Sequence, residues 1–211
     1  MRAGRALAGL ASVPIIGILR GCPAAHAASV AAGAQAAGLK VIEVTLDSPG
    51  ALHQIRSIVA LDLDLVVGVG TVTRVDQVTD AVAAGARFVV SPVVSPSVVE
   101  RCVAVGLPCV PGAATPTEIA LALELGATAV KVFPAADLGG PGFIAAVSGP
   151  LGNPPLIPTG GVDLDNAPRY LAAGAMAVGA GSAMFDSDAL GRGDVERIGE
   201  EVGRWVGALA R

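Results

Sequence analysis

Gly126-Ala-Thr-Ala-Val-Lys-Val-Phe-Pro-Ala135 is an apolar run of strand length that carries one amine, Lys131, in its middle. Side chains alternate along a strand, so Ala129, Lys131 and Phe133 share one face while Val130 and Val132 share the other. If the valines pack under covering helices, the lysine points to the inner face of the sheet. Burial there disfavours the ammonium and favours the neutral amine, which is the nucleophilic form. A lysine that snorkels from a strand end to water is the alternative. The only other lysine in the sequence, Lys40, stands at a helix-to-strand junction where a solvated charge is ordinary.

The glycine that opens this run belongs to a clause that recurs: an alanine-rich helical stretch ends in glycine, one or two residues follow, and an apolar strand begins. The clause starts at Gly38, Gly85, Gly106, Gly126 and Gly174. Glycine just past a helix takes the left-handed conformation that stops it and turns the chain into the next strand. Repeated helix-to-strand turns imply parallel strands. Adding Pro14 to Leu19, Leu65 to Val69 and Pro155 to Pro158 gives about eight, the number that closes a TIM barrel. The strands are continuous apolar runs, as expected when both faces are covered.

Helices are expected over 24–37, 51–61, 75–84, 97–105, 117–125, 142–147 and 166–173, several behind capping residues such as Thr115-Pro-Thr-Glu118 and Asp163-Leu-Asp-Asn166. From Asp188 to Arg211, charges alternate with Ile198, Val202, Trp205 and Leu209 at helical spacing, which predicts a terminal amphipathic helix over the barrel bottom. The fold expected is α/β, a minimal TIM (β/α)8 barrel forming one domain over 1–211. An open doubly wound sheet is the competing topology, but no early Gly-x-Gly-x-x-Gly turn supports a dinucleotide site.

Hydrophobic residues make up 53% of the 211 and charged residues 15%, yet no apolar stretch approaches the roughly 18 residues that span a bilayer, so no membrane partner is expected. A net charge of -4 without a basic block argues against nucleic acid as a partner. Arginines at 2 and 5 ahead of an apolar segment resemble a leader, but Arg20 follows directly and a first strand fits better. Cys22, Cys102 and Cys109 form no pairable framework, consistent with a reducing cytoplasm. His26 and His53 fall in expected helices, with no carboxylate cluster to complete a metal site and no placed histidine for a serine or cysteine triad. Neither a metal nor a cofactor is expected.

Barrel enzymes draw their reacting groups from the C-terminal ends of the strands. Those ends carry Arg20, Glu43 with Thr45, Thr71, Ser91-Pro92, Pro111 to Thr115, Lys131 with Phe133, Thr159-Gly-Gly161 and Gly179 to Ser182. A carboxylate between Ile42 and Val44 is costly to bury unless paired or protonated. A salt bridge to a neighbouring strand is one reading of Glu43. The other pairs it with Lys131, as an imine-forming amine beside a carboxyl able to move protons. Gly160-Gly161 and Gly179 to Ser182 follow strands seven and eight, the usual place of a barrel phosphate site, although tight turns alone would also use glycine.

From about Pro14 to Phe185 the motifs Ile-Leu-Arg-Gly21, Glu-Val-Thr-Leu46, Gly-Val-Gly-Thr-Val72, Ser-Pro92, Pro-Gly-Ala-Ala-Thr-Pro-Thr-Glu118, Lys-Val-Phe-Pro-Ala135 and Pro-Thr-Gly-Gly-Val162 stand in the order seen in one family. The chain resembles the 2-keto-3-deoxy-6-phosphogluconate and 6-phosphogalactonate aldolases. The resemblance implies a metal-independent class I aldolase of the Entner-Doudoroff type, a homotrimer that releases pyruvate and glyceraldehyde 3-phosphate. It implies a Schiff base on Lys131, proton transfer by Glu43, substrate contacts from Arg20, Thr45, Thr71, Pro92, Phe133 and Thr159, and phosphate contacts from Gly160, Gly161, Gly181 and Ser182. Phosphogluconate-type members carry an arginine shortly after the glutamate, where this chain has Asp47-Ser-Pro49, which together with Arg20 resembles the phosphogalactonate type. Thr159 resembles the phosphogluconate type, and 4-hydroxy-2-oxoglutarate is a further substrate of such enzymes. A phosphosugar epimerase and a non-catalytic phosphosugar-binding barrel are the competing functions.

Overall fold

The structure, a computed structural model, describes residues 7–210. Arg2 and Arg5 of the leader-like start, and Arg211 at the other end of the expected domain, lie outside the described residues. The strands are β1 (Ile15–Leu19), β2 (Val41–Thr45), β3 (Val66–Gly70), β4 (Val89–Val90), β5 (Cys109–Val110), β6 (Gly112–Ala113), β7 (Val130–Val132), β8 (Leu156–Pro158) and β9 (Val178–Ala180). The helices are α1 (Ala27–Ala36), α2 (Ala51–Val59), α3 (Val75–Ala84), α4 (Pro96–Ala104), α5 (Pro116–Glu124), α6 (Pro141–Ser148), α7 (Ala167–Ala172), α8 (Ser187–Arg192) and α9 (Val195–Leu209).

Every strand pair is parallel, in one sheet of order β5-β4-β3-β2-β1-β9 and another of order β6-β7-β8. The two sheets share both ends. Between β5 and β6 lies only Pro111, which has no N–H for the ladder, so the two segments are halves of one barrel strand. On the other side a parallel bridge joins Thr159 to Gly179 and thereby β8 to β9. Eight strand positions close into a curled parallel sheet with helices around it, a TIM-barrel variant.

The alternation read from the sequence separates two apolar clusters. Ile15, Leu19, Ile42, Val44, Val69, Val130, Val132 and Val178 pack outward against the helices, with Ile55, Ile119, Ile144 and Trp205. Ile16, Val41, Phe88, Val90, Val110, Ala129, Ile157 and Ala177 fill the barrel, and Leu7 and Leu10 join them. Leu10 stands in a 3-10 turn, Ala8–Ala11, that stoppers the end of the barrel opposite the reacting groups.

Two expectations need correction. The terminal segment is not one helix over the barrel bottom. It is divided at Gly193 (φ 66), where a side chain would collide with the His26 ring. The long part, α9, packs on α1 and touches α7 and α8, closing the helical ring on the outer flank, because Ile198, Val202, Trp205 and Leu209 match the groove there and the bottom is already filled. The second correction concerns His26, which precedes α1 in a turn.

Candidate active site

Glu43 and Lys131 are the only charged side chains buried among the described residues, at 2% and 7% exposure. Strand phase puts both inside the barrel, since their neighbours Ile42, Val44, Val130 and Val132 belong to the outer cluster. They line one small internal cavity with Ile16, Ile18, Val90, Val110 and Ile157. Burial pushes the Glu43 carboxyl above its ordinary range, against the pull of Lys131 and Arg20. Burial likewise draws the Lys131 amine below its ordinary range, and Glu43 opposes the change. Each group is thus biased toward its neutral form by desolvation and toward its charged form by the other. Glu43 Oε1 has no hydrogen-bond partner among the described residues, which leaves it free for a substrate proton. Room for it exists because β3 carries Gly70 alongside, where a Cβ would collide with that oxygen.

Above this pair, three strand ends converge on Arg20. Its Nη2 donates to Thr71 Oγ1 at 3.2 Å, and its Nε lies 3.4 Å from Asp47 Oδ2. Thr71 adopts φ 63, a left-handed conformation that is an outlier for a β-branched residue and costs about 1–3 kcal/mol. Such strain collects at functional sites, and here it turns the hydroxyl toward the guanidinium. Thr45 is fully buried with its hydroxyl 3.1 Å from Ser48 Oγ, which in turn accepts from Gly21 N–H at 2.8 Å. That chain joins the ends of β1 and β2.

The main cavity, about 560 Å³, opens beyond Lys131 and is lined by Arg20, Phe133, Thr159, Gly160, Gly161, Gly181 and Ser182 among others. Lys131 Nζ sits 4.9 Å from the centre of the Phe133 ring. Gly160 (φ 89) and Gly161 (φ 71) form the turn after β8. Across from them the carbonyl of Gly181 accepts from Met184 and Phe185 N–H at 2.9 and 2.8 Å, leaving Ser182 at the cavity edge. The fold therefore gathers Lys131, Phe133, Arg20, Thr159 and both glycine turns around one cavity. Glu43 lies just beneath it. Thr45, Thr71 and Pro92 stand outside its lining, the first two behind Arg20 or Ser48 and Pro92 with its carbonyl over Gly112.

Sequence reasoning gave no place in the site to Ile18, Asp163, Phe185 or Ser187, which also line the cavity, nor any contact to Asp47. Only their closeness to strand ends marked them. Among the described residues no three His, Cys, Asp or Glu side chains cluster as metal ligands, and burial pushes the Cys22 thiol up to about 11, away from a thiolate at neutral pH.

The family model for KDPG and KHG aldolase matches residues 8–201. The 2-dehydro-3-deoxy-phosphogluconate aldolase of Treponema pallidum (strain Nichols) is 39% identical over 161 residues, 76% of this chain and 77% of that protein. The 2-dehydro-3-deoxy-6-phosphogalactonate aldolase of Escherichia coli (strain K12) is 32% identical over 198 residues, 93% of this chain and 94% of that protein. The crystal structure of KDPG aldolase from Legionella pneumophila, with pyruvate captured at low pH as a covalent carbinolamine intermediate, superposes with a TM-score of 0.88 at 30% identity, covering 98% of each chain. With a matching model over nearly its whole length and a barrel that carries a buried amine and carboxyl at its mouth, the chain belongs to the KDPG and KHG aldolase family.

Proposed function

We propose that this class I aldolase cleaves a 2-keto-3-deoxy-6-phospho sugar acid to pyruvate and glyceraldehyde 3-phosphate through an imine on Lys131. The observation that carries the assignment is the isolation of Lys131 and Glu43 as the only buried charged side chains among the described residues, each drawn toward its neutral form. The neutral amine adds to the C2 carbonyl, and Glu43 gives a proton to the departing hydroxyl as the carbinolamine loses water. The carboxylate then takes the proton of the C4 hydroxyl. The C3–C4 bond breaks, its electrons enter the iminium to form an enamine, and the phosphorylated aldehyde leaves. Glu43 returns the proton to C3, and water hydrolyses the imine to pyruvate and free Lys131.

Arg20, oriented by Thr71 and Asp47, is assigned to the substrate carboxylate, a charge-assisted contact that suits a guanidinium. Phe133 and Thr159 wall the reacting carbons, Thr45 and Pro92 support the strand ends, and Gly160, Gly161, Gly181 and Ser182 hold the 6-phosphate. Either C4 configuration is accepted in this reading, since Arg20 with Asp47 resembles the phosphogalactonate type and Thr159 the phosphogluconate type. The protein works as a single-domain homotrimer in the cytoplasm. Its three cysteines are free and buried, and among the described residues no helix is long and apolar enough to cross a membrane.

The test is mass spectrometry after incubation with pyruvate and borohydride, with Lys131→Met and Lys40→Met alongside. An adduct on the wild type and Lys40→Met but not on Lys131→Met is expected. Absence of any adduct on folded wild type would sink the imine mechanism, and an adduct that survives Lys131→Met would move it to another amine.

A further inference from the structure

The turn after β8 is held from outside the cavity at three consecutive carbonyls. Thr159 O accepts from Ala135 N–H at 2.8 Å and Gly160 O from Ala136 N–H at 3.1 Å, both from the segment that follows β7. The third, Gly161 O, accepts from a side chain, Asn166 Nδ2, at 2.9 Å. In a trans peptide the C=O of one residue and the N–H of the next point in opposite directions. Fixing these carbonyls therefore fixes the N–H directions of Gly160, Gly161 and Val162. Those three residues line the main cavity, whereas Ala136 and Asn166 do not. The amides are thus turned to the cavity side, and neither Gly161 N–H nor Val162 N–H donates to a protein acceptor among the described residues. Successive backbone N–H groups aimed into one concavity make an anion nest.

Asn166 holds the position just ahead of α7, where an asparagine side chain ordinarily accepts from the first turn of its own helix. Here it makes no such bond. Both ends of its amide go to the glycine turn instead: Nδ2 to Gly161 O, and Oδ1 accepting from Asp163 N–H at 3.0 Å. Asp163 takes over the local turn, its Oδ1 accepting from Asp165 and Asn166 N–H at 3.0 and 2.9 Å. The pairing of Asn166 with helix capping that the sequence suggests is therefore replaced by a brace across Val162.

We infer that Asn166 is a positioning residue for phosphate recognition, which by holding the Gly161 carbonyl aims the Val162 N–H at the phosphate of the substrate. The inference rests on the assignment of the glycine turns to the phosphate. Asn166 itself touches no substrate. Of the three braces it is the one made by a side chain, so it can be removed without altering the main chain.

The experiment runs the reaction in the direction of C–C bond formation, with pyruvate and either D-glyceraldehyde 3-phosphate or D-glyceraldehyde as acceptor. Asn166→Ala is expected to lower kcat/KM for the phosphorylated acceptor about 10-fold, through KM, the effect of one misaimed hydrogen bond to a charged group. Its kcat/KM with glyceraldehyde and its borohydride-trapped pyruvate adduct should match the wild type. Asn166→Ser, which is too short to reach Gly161 O but is a good residue ahead of a helix, should give the same loss and serves if the alanine variant does not fold. A folded variant that keeps the wild-type preference for the phosphorylated acceptor would overturn the inference, as would an equal loss with both acceptors. A wild type indifferent to the phosphate would instead overturn the phosphate assignment itself, and this inference with it.

Discussion

Burial moves the titrations of the two reacting side chains toward each other, and two nearby charges, Arg20 and Asp47, act on both in opposite senses. Arg20 pushes the Lys131 amine further down and also pulls the Glu43 carboxyl down against its burial. A lysine at its ordinary value of 10.5 would be almost all ammonium at neutral pH. With the value lowered, the neutral amine extends to lower pH, and imine formation is lost as pH falls through the lowered value. Arg20→Ala should therefore move the acidic limb of pyruvate imine formation to higher pH, because the repulsion that helps deprotonate Lys131 is gone. It should also raise KM for pyruvate about 10-fold by removing a charge-assisted contact. Single-turnover imine formation measured across pH checks both. An unmoved limb would mean that solvent screens the 57%-exposed guanidinium from the amine.

Strand β3 shows how an element makes room for chemistry by what it lacks. Beyond Val66, its inward positions are Gly68, beside the Phe88 ring, and Gly70, beside the Glu43 carboxyl. Gly70→Ala would press a methyl against a buried carboxyl whose outer walls are close-packed, so the fold should lose about 1–3 kcal/mol as in other overpacked interiors. The displaced Glu43 should also lower kcat. The element that follows β6 offers the contrast: Thr115 Oγ1 accepts from Glu118 N–H at 3.2 Å while Glu118 Oε2 accepts from Thr115 N–H at 2.9 Å, a reciprocal cap at the start of α5. Thr115→Ala should cost about 1 kcal/mol with kcat unchanged. Urea unfolding beside steady-state assays separates the two. Equal kinetic behaviour of both variants would show that the Gly70 contact does not govern Glu43.

In the whole molecule the barrel end opposite the site is stoppered by Leu7 and Leu10, and the helical ring is completed by α9. Several apolar side chains remain exposed on the ring, including Val59, Val82, Val103 and Leu121. They offer apolar area to neighbouring copies, in keeping with the homotrimer proposed above. Sedimentation equilibrium is expected to return three times the mass of the chain. A monomer at micromolar concentration would reject that assembly and leave the site, built here within one chain, intact.

Local chemistry was legible in the sequence wherever one residue's surroundings depend on its own strand or turn. Alternation along β2 and β7 placed Glu43 and Lys131 inside, because a strand side chain has two faces to choose from and their neighbours are Ile42, Val44, Val130 and Val132. Glycine after five of the helices marked the parallel order for the same local reason. What the sequence could not carry was contact between distant segments. The Arg20–Thr71–Asp47 cluster joins three strand ends, and the left-handed Thr71 that helps form it violates the local preference of its residue type. Asn166 looked like a helix cap and proved to be a brace, because the Gly161 carbonyl competes for its amide only once β8 and α7 are in place. The terminal helix was equally ambiguous: its apolar stripe foretold burial, but the choice between the barrel bottom and the flank of α1 belonged to the packed barrel, where only the flank was open.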